Sequence, residues 1–244
     1  MQDFNMYYML TPLHTHIDFG FGATGEAFKR AADNLEESLP EKGDVLNGRL
    51  PINYLRRHAI ELFLKSAITI IHKQLTLPYG DKPSTTIPYA FDGSKWVLLT
   101  NLHSVKKLWT YLKTLFLDQK SFFDSVERVD WSFPSEVDSW IFKIDNLDPR
   151  STFFRYPTLN ENETDSVKSV MIESPTPDIM DRLKESDSPT GKLVLLLEND
   201  AGEITRGFIS GEDTLSEISL ILKKCSDLFY GTHAALRCEV CGGA

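Results

Sequence analysis

Three cysteines in 244 residues are too few, and odd in number, to build a disulfide framework. No apolar run reaches the roughly 18 residues that a membrane-crossing helix needs. The opening stretch, MQDFNMYYMLTPLHTHIDFG, has neither the basic segment nor the apolar core of a secretory signal. A cytoplasmic protein that does not enter the membrane is therefore expected. Positive charge is also scarce. Lys and Arg number 26 against 35 Asp and Glu, a net charge of −9, which argues against a general basic coat for duplex nucleic acid but leaves room for a local basic cleft. No phosphate-binding P-loop, GxSxG elbow or dinucleotide fingerprint is present, and there is no internal repeat or low-complexity tract. What is there is an ordinary globular composition, 41% hydrophobic and 25% charged, in a chain long enough for a sizeable core.

The chain is organised around Tyr54–Gln74, YLRRHAIELFLKSAITIIHKQ. At 100° per residue, Leu55, Ala59, Leu62, Phe63, Ala67, Ile70 and Ile71 spread over more than half of a helix circumference, so such a helix must be packed on several sides. Arg57, His58, Glu61, Lys65, Thr69 and His72 gather on the narrow polar arc that remains. Glu61 and Lys65 stand four apart in the favourable order, and Arg57 adds a second pair one turn earlier. Exposed, each pair contributes only about 0.3–0.5 kcal/mol; buried, it fixes packing partners more than it adds net stability. The stripe reads either as structural ion pairing or as a ligand-facing surface made of Arg57, Glu61, Lys65 and His72.

Three stretches carry a family resemblance. RHAIELFLKSAI resembles the signature helix of the HEPN-like (higher eukaryotes and prokaryotes nucleotide-binding) helical bundles, in the branch reading His-x-x-Glu-x-x-x-Lys. NLHSVKKLW, Asn101–Trp109, resembles that family's His-x-Leu-x-x-Leu entry to the following helix. LDPRSTFFRYP, Leu147–Pro157, resembles the Asp-Pro-x-Ser…Phe-Arg-Tyr-Pro segment of uncharacterised bacterial members. The resemblance implies a mostly α, HEPN-like bundle that dimerises. It also implies a role in bacterial defence or toxin–antitoxin systems, with RNA, a nucleotide or a partner protein bound. Ribonuclease members carry Arg-x(4–6)-His on a late helix, where imidazole moves a proton and Arg stabilises phosphate charge. That spacing is missing here, since Arg155 is followed by Asn160, Glu161 and Asn162. His233 and Arg237 lie one turn apart in the reverse order.

The resemblance thus implies a binding or regulatory protein, with two alternatives left open. One is a divergent metal-independent ribonuclease using His233, Arg237, Arg155 or His103. The other is a nucleotide-binding partner of a nucleotidyltransferase, with Glu61 and Lys65 lining its site. No cofactor is expected.

Along the chain, Thr24–Leu39 reads as a helix capped by Thr24, with Ala27, Phe28, Ala31, Ala32, Leu35 and Leu39 inward. A polar connector, Pro40–Leu50, leads to Pro51 and the central helix. Pro78, Gly80, Pro83 and Pro88 then stop the helical period. Ile87–Phe91 and Lys95–Leu99 flank Asp92-Gly93, a hairpin signal. Leu102–Leu117 resumes helical spacing, with His103 in its first turn. Shorter helices are expected at Ser121–Val129 and Glu136–Ile144. Arg155, between Phe154 and Tyr156, offers its fork to a carboxylate such as Glu61 or to a phosphate.

The acidic stretch 160–188 reads as a solvated loop with at most one short helix near 177–185. A second hairpin follows, from Lys192–Glu198 and Glu203–Ile209, and it shares one small sheet with the first in this reading. A last helix, capped by Thr214, runs from Leu215 to about Cys238, with Gly231 as a weak point. All of this makes one domain, 1–244, with β-hairpin insertions near 87–99 and 192–209. Three aromatics, Trp109, Trp131 and Trp140, sit in segments too short to hide them all, which with the resemblance points to a homodimer through helices. His14-Thr-His16 and Cys238-x-x-Cys241, with Cys225 or His233 as further ligands, are incomplete metal patterns, and no metal is expected.

Overall fold

The structure, a computed structural model, describes residues 8, 10–38, 48–159, 165–175, 177–179, 193–211 and 214–242. It is mostly helical with two small antiparallel sheets. Helix α1 is Phe21–Ser38, α2 Arg49–Gln74, α3 Val105–Asp118, α4 Lys120–Ser125, α5 Val137–Leu147 and α6 Ser216–Ala235, the last continuing into a π turn at Leu236–Val240. Strands β1 Tyr89–Phe91 and β2 Trp96–Leu98 form one hairpin; β3 Met171–Glu173, β4 Val194–Glu198 and β5 Ile204–Ser210 form the other sheet, in the order β3-β5-β4. No helix among the described residues is long and apolar enough to cross a membrane.

Helix α2 is the axis of the bundle. It packs against α1, α6 and α3, and from Ala59 to His72 every residue is buried. It starts at Arg49, earlier than the periodicity suggests. Pro51 falls in its first turn, where a missing N–H removes no intrahelical bond. Apolar residues of α3, α5 and α6, including Leu108, Leu112, Ile144, Leu222 and Phe229, close over Ile60, Phe63, Leu64, Ile68 and Ile71 in one continuous core. The expected stripe is real, but its opposite face is not wholly apolar. Arg56 is fully buried there and pairs with Glu36 at 2.8 Å and Asp33 at 3.1 Å on α1.

Helix α1 begins three residues before Thr24, and Asp18, not Thr24, accepts from the amides at its start. The Asp18 carboxylate accepts from Gly20 N at 2.9 Å and Gly22 N at 2.7 Å. The first hairpin forms as its turn residues dictate: Gly93 takes φ +99°, and Asp92 Oδ1 accepts from the Ser94 and Lys95 amides. The two hairpins do not share a sheet. The acidic stretch is also more than a loop, for β3 pairs with β5 through Ile172↔Ile209 and Glu173↔Phe208. Three residues are too few to show a period of two, so this strand exists through its partner. The expected short helix near 177–185 lies mostly outside the described residues, as does most of the connector at 40–50. Thr214 does not cap α6; its hydroxyl donates to the Val167 carbonyl at 2.7 Å.

Candidate functional site

The polar stripe of α2 closes on a single carboxylate. Glu61, 1% exposed, accepts from Arg57 Nη1 at 2.6 Å, Lys65 Nζ at 2.7 Å and His103 Nδ1 at 3.0 Å. Arg57 and Lys65 are themselves buried. Arg57 also reaches the His103 carbonyl at 2.5 Å, the Asp148 carbonyl at 3.5 Å and the Asp148 carboxylate at 3.5 Å. It thereby ties α2 to the loop before α3 and to the turn after α5. Burial pushes the Glu61 carboxyl up, but Lys65 and Arg57 outweigh it and hold the group below the usual carboxylate range. A carboxylate only accepts, so His103 must present Nδ1–H to it.

His103 precedes the Ser104 cap rather than sitting in the first turn, and its side chain is 51% exposed. The stripe therefore reaches solvent through His103, an imidazole oriented from behind by a buried carboxylate.

His72, the fourth residue of the expected stripe, is engaged elsewhere. Its Nδ1 stands 2.9 Å from the Leu77 carbonyl, which only accepts, so Nδ1 carries the proton and Nε2 accepts from the Tyr111 hydroxyl at 2.7 Å. The ring stacks on Tyr79 at 4.2 Å and meets Trp96 edge-on. Burial pushes its pKa down, and the ring serves as a neutral fastener between α2, α3 and the β1–β2 arm.

The late-helix pair is sealed. His233 is 2% exposed. Ser66 Oγ donates to Asp18 at 2.6 Å, so it accepts from His233 Nδ1 at 2.9 Å, and Nε2 faces the Tyr8 hydroxyl at 3.4 Å. Tyr8 stacks on His16 at 4.4 Å and lies under the Arg237 guanidinium at 4.1 Å. His233 and Arg237 thus share a face with a phenol set against both. Burial pushes His233 down to about 4, the Asp18 carboxylate working against it. Gly22 lies against this ring with no room for a side chain.

Arg155 is exposed and does not pair with Glu61; its guanidinium stands 5.8 Å from the Tyr54 ring. Among the described residues no group of three His, Cys, Asp or Glu is placed to hold a metal. His14 is exposed while His16 is buried and bonded to Thr11 at 2.8 Å. Burial pushes the Cys241 thiol up to about 11 and the Cys225 thiol up to about 12.

Asp18 and Arg56 are among the residues of these networks that periodicity does not mark. Asp18 precedes a Gly-rich helix start, a capping signal that was available. Arg56 is one residue off the stripe, and nothing local marks it as buried. Compared with known proteins, the chain matches no family model, no curated protein and no solved structure.

Proposed function

We propose that this chain is a HEPN-like binding or regulatory protein and not a nuclease, acting in the cytoplasm as a component of a bacterial defence or toxin–antitoxin system. RNA, a nucleotide or a partner protein is its ligand in this reading. The family part rests on the ordered motifs around Glu61, His103 and Arg155. The non-catalytic part rests on one observation: both ring nitrogens of His233 are occupied inside the core. A general acid or base has to reach the proton it moves, and this ring is only 2% exposed.

The test is incubation of the purified protein with single-stranded and structured RNA in chelator, alongside fluorescence anisotropy with labelled RNA and with a labelled nucleotide. Binding without cleavage is expected. Cleavage that disappears in a folded His233→Ala variant overturns the reading.

A second reading, the divergent metal-independent ribonuclease, has one observation in its favour. His103 is half exposed and held by Glu61 in the way a carboxylate orients a catalytic imidazole. Cleavage abolished by His103→Ala and untouched by His233→Ala is the result that favours it.

A further inference from the structure

Strand β4 is one of the two edges of its sheet, and no strand among the described residues pairs with its outer side. Directly paired residues of antiparallel strands share a face. Leu195 pairs with Phe208 and Leu197 with Arg206, and Glu173 also pairs with Phe208. One face therefore carries Leu193, Leu195 and Leu197 along the edge, then Phe208 and Arg206, then Glu173. The three leucines are 51%, 50% and 40% exposed. The other face is closed in its middle, where Ile209 is buried and Ile179 lies against Gly207.

On this face the exposed apolar side chains thus lie along the edge. Arg206 and Glu173, an ion pair at 2.7 Å with both side chains 54% exposed, share that face with the partly buried Phe208 and Met171. A sheet stacked on this face would have to bury that pair, whereas a strand added beside β4 leaves it in water.

Edge strands are normally protected by charge, proline or a bulge. Residues 193–197 contain neither charge nor proline, and the irregularity in the β4–β5 pairing falls beyond them, between Leu197 and Glu198.

We propose that two copies of this chain pair antiparallel through β4, with Leu195 opposite its own copy, to make one six-stranded sheet. In that register Leu193 falls opposite Leu197, so all six leucines form one ladder on one face, a self-complementary arrangement that a two-fold axis requires. Charge selects the direction. The chain carries a net charge of −9, so most approaches of two copies are repulsive, and the uncharged edge is an exception. Antiparallel pairing sets the two Glu198 carboxylates about 20 Å apart at opposite ends, while parallel pairing would put them side by side. The proposal takes up the expectation of a homodimer and names a strand edge instead of helices as the contact. It does not depend on what the protein binds.

The experiment is light scattering on the full chain between about 5 and 50 µM, the range suited to a small interface. Wild type should run at twice the chain mass. Leu195→Lys should raise the dissociation constant by about tenfold or more, with helical circular dichroism unchanged because the side chain is half exposed. In a Cys238→Ser background, Leu195→Cys should cross-link on mild oxidation, since the two-fold axis sets it against itself. Leu117→Cys, an exposed site on α3, should not. A monomeric wild type, a dimer indifferent to Leu195→Lys, or cross-linking through Leu117→Cys alone each overturns the proposal. None of these outcomes bears on RNA or nucleotide binding, which is measured separately.

Discussion

Replacing Glu61 by Ala removes the acceptor shared by Arg57, Lys65 and His103, and the three donors do not suffer equally. His103 is half exposed and turns to water. Arg57 keeps the His103 carbonyl at 2.5 Å and the Asp148 contacts at 3.5 Å. Lys65 is 3% exposed and has Glu61 as its side-chain partner among the described residues. The cost therefore falls mainly on one stranded ammonium. Breaking a buried pair in this way costs roughly 3–5 kcal/mol, a large part of the 5–15 kcal/mol or so that holds a domain together.

The assay is urea denaturation followed by circular dichroism at pH 7, applied as a double-mutant cycle. Glu61→Ala should lose at least about 3 kcal/mol. Adding Lys65→Met, which removes the stranded charge and keeps the volume, should restore most of that loss. Adding Arg57→Met should not, because Arg57 also ties two loops to α2. A Glu61→Ala protein within about 1 kcal/mol of wild type, the level of an exposed pair, would refute the reasoning. So would a Lys65→Met addition that gives no rescue.

The helices were legible because their evidence is periodic and local. A buried helix needs apolar residues all round, and Tyr54–Gln74 shows them; Asp92-Gly93 shows its turn in the same way. What escaped is whatever depends on a partner distant in sequence. Strand β3 is three residues recruited by β5, and the separation of the two hairpins into two sheets is a matter of packing that no window of residues contains. The site divides along the same line. Arg57, Glu61 and Lys65 lie on one helix, so their spacing placed them together. His103 joins them from 42 residues away, a contact that the spacing along one helix does not contain. The setting of Tyr8 against both His233 and Arg237 could not be read at all, because Tyr8 and His233 are 225 residues apart. His72 shares the stripe's angular position but lies far enough along α2 to meet the β1–β2 arm instead. An angle on a helical wheel fixes direction and leaves the neighbour open.

Two glycines separate packing from propensity. Gly22→Ala drives a methyl group into the His233 ring and should cost roughly 1–3 kcal/mol, read as a lower urea midpoint. Gly231→Ala, inside α6 with open space where its side chain would go, should instead add up to about 1 kcal/mol; a loss there would mean that this space is occupied. The acid response tests the sealed pair. Burial holds His233 neutral, with a pKa of about 4 against 6.5 for the ordinary group, while Asp18 opposes that shift and Arg237 and His16 support it. The unfolded chain therefore binds a proton first, and stability contributed by the neutral ring is complete above about pH 6.5 and is lost as the pH falls toward about 4. At 1.36 kcal/mol per unit, the share of His233 between pH 6.5 and 4.5 is about 2–3 kcal/mol. His72, also pushed down by burial, adds to the fall in the same direction. Glu61, held below the carboxylate range, loses its contribution only at lower pH. Denaturation curves at half-unit steps over that window should show stability dropping by about one proton more in wild type than in His233→Asn, whose amide keeps the hydrogen bond to Ser66 but does not titrate. Equal slopes for the two proteins would mean that the imidazole is protonated in the folded chain, and with it the sealed, neutral reading of the late helix would fall.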